Sequence, residues 1–102
     1  MKKVTLGKTG FVVNKNGFGA LPIQRISKDD AAYLLRKAFD NGITYFDTAR
    51  FYTDSEEKMG YALSDIRDKV IIATKTAATN VTDFWKDLVT SLVLLKTDYI
   101  DM

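Results

Sequence analysis

Short apolar stretches alternate with amphipathic helical patterns along most of this sequence. The apolar stretches, predicted to be strands, cover residues 17–20, 43–47, 70–74 and 98–102. Strands that alternate with helices of this length are joined by right-handed crossovers, which place successive strands side by side and parallel. The sequence therefore predicts an α/β fold with the element order β-α-β-α-β-α-β.

A separate pattern precedes this alternation at the N-terminus. Two short apolar runs, residues 4–6 and 11–13, flank a segment that begins with Gly7 and ends with Gly10. Two glycines this close together suit the positive-φ positions of a tight turn. An antiparallel β-hairpin is therefore predicted ahead of the parallel strands.

Three helices are predicted from apolar residues that recur at intervals of three and four. The first begins after Ser27, a preferred N-cap, and ends at Gly42, which suits a left-handed stop. The second begins at Asp54 or Ser55, and Thr82 caps the third. The core-facing positions are predicted to be Ala31, Leu34, Leu35, Ala38 and Phe39, then Met59, Ala62, Leu63 and Ile66, then Trp85, Leu88, Val89, Leu92 and Leu95.

Two architectures fit this order of elements. An open doubly wound sheet is finished within ~100 to 150 residues, whereas a (β/α)₈ barrel needs ~250, of which four strands would be half. Periodicity does not separate the two. In both, ligands bind at the carboxyl ends of the strands, so the candidate positions follow Ala20, Phe46, Thr74 and Asp101.

Composition narrows the classes of function. The chain has 102 residues with Lys+Arg 15 against Asp+Glu 13 and no block of like charge, so neither a nucleic acid nor an anionic membrane is an expected partner. It contains no Cys and no His, which excludes a disulfide and a zinc site of the usual kind within these residues. No apolar run approaches the ~18 residues that span a bilayer, and a cytoplasmic location is expected.

Three residues at the predicted strand ends could carry out proton chemistry. Asp47 and Lys75 end neighbouring strands, and Tyr52 lies in the loop after Asp47. A phenol has an ordinary pKa of about 10, so a phenol that donates protons at pH 7 needs a cation within ~4 to 6 Å. The spacing alone also allows a strand-end cap, an aromatic lid and a solvated lysine. Gly17 and Gly19 lack the third glycine of a dinucleotide fingerprint, which disfavours a Rossmann site.

The sequence resembles the aldo-keto reductases over its whole length. The motifs that carry the resemblance are LGKTG at 6–10, GFG at 17–19, FDTA at 46–49 with Tyr52, SEE at 55–57 with Gly60, Ala62 and Leu63, RDKV at 67–70, ATK at 73–75 and TDYID at 97–101. The resemblance implies a (β/α)₈ TIM-type barrel whose bottom is covered by an N-terminal hairpin. Residues 1–102 would be the N-terminal half of that barrel, an incomplete domain.

The resemblance also implies an activity for the full-length protein. Family members reduce a small-molecule aldehyde or ketone with NADP(H) or NAD(H). By that resemblance Tyr52 would be the proton donor, Lys75 would favour its ionised form, and Asp47 would hold Lys75 and contact the nicotinamide ribose. Gly19 and Ala20 would lie near the cofactor.

The departures from the family pattern lead to further expectations. The family's catalytic histidine on the fourth strand has no counterpart, and the strands whose loops bind the cofactor phosphates are not in this sequence, so the 102 residues alone are expected to be inactive. Residues 22–25 and 52–55 resemble a prokaryotic subset whose longer members often carry a C-terminal iron–sulfur segment. Two alternatives remain, namely a non-catalytic half-barrel that self-associates through its open sheet edges and a complete flavodoxin-like binding module.

Overall fold

Residues 2–102 form two small sheets, three α-helices and two short 3-10 helices. The computed structural model describes residues 2–102. The strands are β1 (Lys3–Thr5), β2 (Val12–Asn14), β3 (Phe18–Gly19), β4 (Tyr45–Asp47) and β5 (Ile71–Ala73), and the helices are α1 (Lys28–Asp40), α2 (Ser55–Leu63) and α3 (Val81–Leu95). Two 3-10 helices, Leu21–Arg25 and Ser64–Lys69, follow β3 and α2.

The N-terminal hairpin confirms the prediction made from its two glycines. Strands β1 and β2 pair antiparallel, with Val4 opposite Val13. Gly7 and Gly10 both have positive φ, +52° and +82°, a backbone conformation that residues with a Cβ rarely adopt. The turn therefore depends on these two glycines.

The central sheet is parallel and has the order β3-β4-β5. Phe46, the middle residue of β4, is buried and pairs with Phe18 on one side and Ile72 on the other. The strands lie side by side in their chain order, as in part of a barrel, and not in the reversed order of a flavodoxin-like module. The core lies between this sheet and the first two helices, where Ala31, Leu35, Met59 and Leu63 are all buried.

The fourth strand predicted at residues 98–102 is formed only in part, because only its last two residues make backbone hydrogen bonds to the end of β5. The backbone N–H groups of Asp101 and Met102 both donate to the carbonyl oxygen of Ile72, at 3.1 and 3.2 Å. The N–H of Ile72 donates instead to the Asp101 carboxylate at 2.9 Å. The N–H of Thr74 donates to the carbonyl of Met102 at 3.0 Å, so backbone hydrogen bonds run in both directions between this segment and the end of β5, as in a parallel pair.

The ends of the helices follow local capping signals. The Ser27 hydroxyl accepts from the N–H of Asp30 at 3.1 Å, and Gly42 has a φ of +98° after the end of α1, as predicted. For α3 the predicted cap, Thr82, was wrong, because the side chain of Asn80 accepts from the N–H of Asp83. Leu34, predicted to face the core, is exposed on the outer side of α1.

Some apolar side chains of α3 that were predicted to face the core are exposed to solvent. Leu95 is buried, but Trp85 is 57% exposed, and Val81, Val89 and Val93 are exposed with it. These four residues recur every fourth position and form one face of the helix, called here the α3 stripe. Within residues 2–102, no helix combines the length and apolar character needed to cross a membrane.

Candidate active site

The structure brings Asp47, Tyr52 and Lys75 together at the carboxyl end of the parallel sheet. The ammonium of Lys75 donates to the carboxylate of Asp47 at 2.9 Å and to the backbone carbonyl of Thr48 at 2.7 Å. The same nitrogen lies 5.3 Å from the centroid of the Tyr52 ring. The lysine therefore lies within reach of both the carboxylate and the phenol, as the strand order predicted.

This cluster remains open to solvent. The side chains of Lys75 and Asp47 are 43% and 35% exposed, so their ion pair contributes only about 0 to 1 kcal/mol to stability. Burial acts to lower the pKa of Lys75, but the hydrogen bond and negative charge of Asp47, with a smaller effect of Tyr52, raise that pKa above its ordinary value. The lysine is consequently a fixed positive charge at neutral pH.

The loop between β4 and α2 carries Tyr52 back over the end of β5. The N–H of Tyr52 donates to the carbonyl of Ala49 at 3.1 Å, and the N–H of Ser55 donates to the carbonyl of Tyr52 at 2.8 Å. The N–H of Arg50 donates to the carbonyl of Lys75 at 2.9 Å. The first two bonds hold the loop in shape, and the third connects it to Lys75, just beyond the end of β5.

A buried polar layer under the loop was missed by the sequence reasoning. The Glu56 carboxylate is 1% exposed and accepts from the Arg50 guanidinium at 2.6 Å and from the Thr74 hydroxyl at 2.8 Å. Beside it, the hydroxyls of Thr48 and Ser55 are hydrogen-bonded at 2.8 Å. An acid in the first turn of a helix is normally a solvated partner of the helix dipole, so its sequence position gave no sign of this role.

The two residues predicted to lie near a cofactor differ in accessibility. Gly19 is exposed, pairs with Asp47 in the sheet, and has no atom within 4 Å of the position that a Cβ would take. Ala20 is fully buried, and its carbonyl accepts from the Ser55 hydroxyl at 3.1 Å. Only Gly19 offers free surface, and cofactor contact at either residue stays a prediction. The described residues contain no group of three or more acidic side chains placed to hold a metal ion.

Comparisons with known proteins identify what the chain is similar to. The sequence model of the Aldo/keto reductase family matches residues 15–102. L-galactose dehydrogenase from Arabidopsis thaliana is 37% identical over 95% of this chain and 35% of its own length. A crystal structure described as an aldo-keto reductase from Pseudomonas aeruginosa is 32% identical with a TM-score of 0.88, covering 96% of this chain and 43% of that one.

A second solved structure includes a cofactor. The crystal structure of an aldo-keto reductase from Klebsiella pneumoniae in complex with NADPH is 29% identical with a TM-score of 0.88, and it covers 100% of this chain. The match covers 38% of that chain. This chain therefore spans well under half the length of the relatives that it matches.

Proposed function

The chain belongs to the aldo/keto reductase family, and on that premise we propose that it is part of an enzyme that reduces an aldehyde or ketone with NADPH or NADH. The observation that carries the proposal is the position of the Lys75 ammonium, 2.9 Å from the Asp47 carboxylate and 5.3 Å from the centre of the Tyr52 ring. A relative that was crystallised with NADPH supports a nicotinamide cofactor.

Each of the three side chains has one task in this proposal. The cofactor supplies the hydride when it is bound. Tyr52 donates its hydroxyl proton to the substrate oxygen, and the Lys75 ammonium stabilises the phenolate that remains, because opposite charges at this distance favour the ionised form. Asp47 holds the ammonium in place through its hydrogen bond.

The residues present fit a nicotinamide cofactor at the strand ends. Gly19 leaves the space beside the sheet open where a side chain would otherwise stand. The Asp47 carboxylate is 35% exposed at the paired position and could accept a hydrogen bond from a ribose hydroxyl. Gly19 and Asp47 are therefore the residues of this chain that we propose for cofactor binding.

We place the activity in a polypeptide that supplies the rest of a barrel. This chain covers 35% to 43% of the length of the relatives described above, and its parallel sheet has three strands. A closed barrel has eight strands and carries its active site on loops from many of them. Residues 1–102 alone are therefore proposed to turn over no substrate.

The test is a carbonyl-reduction assay of a polypeptide that contains these residues and the remainder of the barrel. Tyr52→Phe is expected to lower kcat by about 10²- to 10⁴-fold, the usual contribution of a positioned proton donor. Tyr33→Phe is the matched control, because Tyr33 is exposed on α1 away from the strand ends, and it should leave kcat unchanged. Full activity of Tyr52→Phe would show that another group protonates the substrate.

The α3 stripe favours a second candidate function, a non-catalytic unit that self-associates. Its four large apolar side chains are exposed on one face of the helix. Light scattering of residues 1–102 should then show an oligomer that Trp85→Glu dissociates and that Tyr33→Glu leaves intact. A monomer at high concentration would eliminate this candidate and would not affect the first one.

A further inference from the structure

The Glu56 carboxylate is enclosed by protein at the start of α2, directly beneath the loop that carries Tyr52. Its exposed fraction is 1%, and a buried carboxylate is stable only when its oxygens are paired. In this structure each oxygen has a different partner. One oxygen accepts from the Arg50 guanidinium at 2.6 Å, and the other accepts from the Thr74 hydroxyl at 2.8 Å.

These two partners belong to the two segments that supply the site. Arg50 stands two positions before Tyr52, and Thr74 stands one position before Lys75. A single carboxylate thus joins the tyrosine loop to the end of the lysine strand.

Arg50 extends this connection on both sides of the tyrosine. Its guanidinium donates to the carbonyl of Thr53 at 3.4 Å, immediately after Tyr52. Its backbone N–H donates to the carbonyl of Lys75 at 2.9 Å. The Glu56 carboxylate fixes the guanidinium, and the guanidinium in turn restrains the loop on which the phenol is carried.

We propose that Glu56 is a positioning residue, which acts through Arg50 and Thr74 to hold the Tyr52 ring over the Lys75 ammonium. This inference rests on the function proposed above for the tyrosine and lysine. Proton transfer tolerates little error in placement, because displacements of about 1 Å can cost about 10²-fold in rate. A buried carboxylate with two partners provides the rigid support that a half-buried tyrosine and an exposed lysine cannot provide for themselves.

The experiment measures the geometry directly in residues 1–102 by NMR. The nuclear Overhauser effect between the Tyr52 ring protons and the Lys75 ε-methylene reports their contact, and the ¹³Cε titration of Lys75 reports its pKa. The variants are Glu56→Gln, which keeps the shape and removes the charge, and Thr74→Val, which removes one hydroxyl without any change of charge. Glu57→Gln is the matched control, since Glu57 is the exposed neighbour in the same helical turn.

The proposal expects the Tyr52–Lys75 contact signal to be lost in Glu56→Gln and to weaken in Thr74→Val. The hydrogen bond from Lys75 to Asp47 does not involve Glu56, so the pKa of Lys75 stays above its ordinary value in Thr74→Val, and Glu57→Gln leaves both the contact signal and this pKa unchanged. An unaltered contact signal in a folded Thr74→Val chain overturns the proposal, because a shift in Glu56→Gln alone would then reflect the lost charge. If Glu56→Gln does not fold, Thr74→Val decides. None of these readouts requires turnover, so their outcome is distinct from a failure of the proposed activity.

Discussion

A methyl group added at Gly60 is expected to destabilise the fold, although the same change would stabilise an isolated helix. Gly60 is buried in α2 where that helix meets α3. A Cβ at this position would lie 2.2 Å from the carbonyl oxygen of Leu94 and 2.9 Å from the carbonyl carbon of Leu95. Both are backbone atoms, so no flexible side chain can move aside, and the two helices must separate.

The size of the effect follows from two opposing contributions. Alanine is favoured over glycine in a helix interior by about 1 kcal/mol. Overpacking a well-filled interior costs about 1 to 3 kcal/mol, and the contact with backbone places Gly60→Ala at the upper end of that range. We therefore expect a net loss of about 2 kcal/mol in the free energy of unfolding.

Urea unfolding followed by circular dichroism measures this loss. Gly19→Ala is the matched control, because Gly19 has no positive φ and no atom within 4 Å of the added Cβ, and it should change stability by less than about 0.5 kcal/mol. A Gly60→Ala chain as stable as the parent, or more stable, would refute the close approach of α2 and α3. The site would be affected as well, since α2 carries Ser55 and Glu56.

Three further substitutions test the contacts that fix the chain. Arg67→Met leaves the Asp101 carboxylate without its buried partner at 2.9 Å and should cost about 3 to 5 kcal/mol in urea unfolding, so unchanged stability would contradict the role of this pair. The hydrogen bond from Lys58 lowers the pKa of Asp54 below its ordinary value, so ionised Asp54 stabilises the fold above pH about 4. Because the Asp54 side chain is 49% exposed, it contributes less than about 1 kcal/mol. The parent chain should therefore be slightly more stable than Asp54→Asn at neutral pH, and this difference in stability should vanish as the pH falls through the pKa of Asp54 in the folded chain. A difference that stays constant with pH would show that ionised Asp54 does not stabilise the fold. Ser27→Ala should lower stability by about 1 kcal/mol in a thermal melt, and an unchanged melt would show that the cap bond contributes nothing.

The sequence predicted those features of the fold that depend on neighbouring residues, such as the two ends of α1. The Ser27 cap and the positive φ of Gly42 depend on a few neighbouring residues, so both ends of α1 could be predicted from the sequence. The meeting of Asp47 and Lys75 was also predictable, because the carboxyl ends of parallel strands share one edge of the sheet.

The features that the sequence did not predict depend on residues far apart in the chain. The period of α3 predicted one face for Trp85, Val89 and Leu95, but Leu95 is buried whereas Trp85 and Val89 are exposed, because the partners that cover the helix are not encoded in its own spacing. The segment at 98–102 has strand composition, yet the N–H of Ile72 donates to the side-chain carboxylate of Asp101 and not to a backbone carbonyl. Likewise, no spacing rule indicates that Arg50 and Thr74 converge on Glu56, since three separate segments must fold before these groups meet.

The central claim is that the lysine acts on the substrate only through the tyrosine, and a double-mutant cycle tests it most directly. The measurement is kcat/KM for carbonyl reduction by a polypeptide that joins these residues to the remainder of the barrel, with Tyr52→Phe, with Lys75→Met and with both changes together. If the ammonium serves to stabilise the phenolate, the double variant is no slower than Tyr52→Phe alone, because residues that act as one unit give non-additive losses. Losses that multiply in the double variant would show that the two side chains act independently, and would contradict the mechanism.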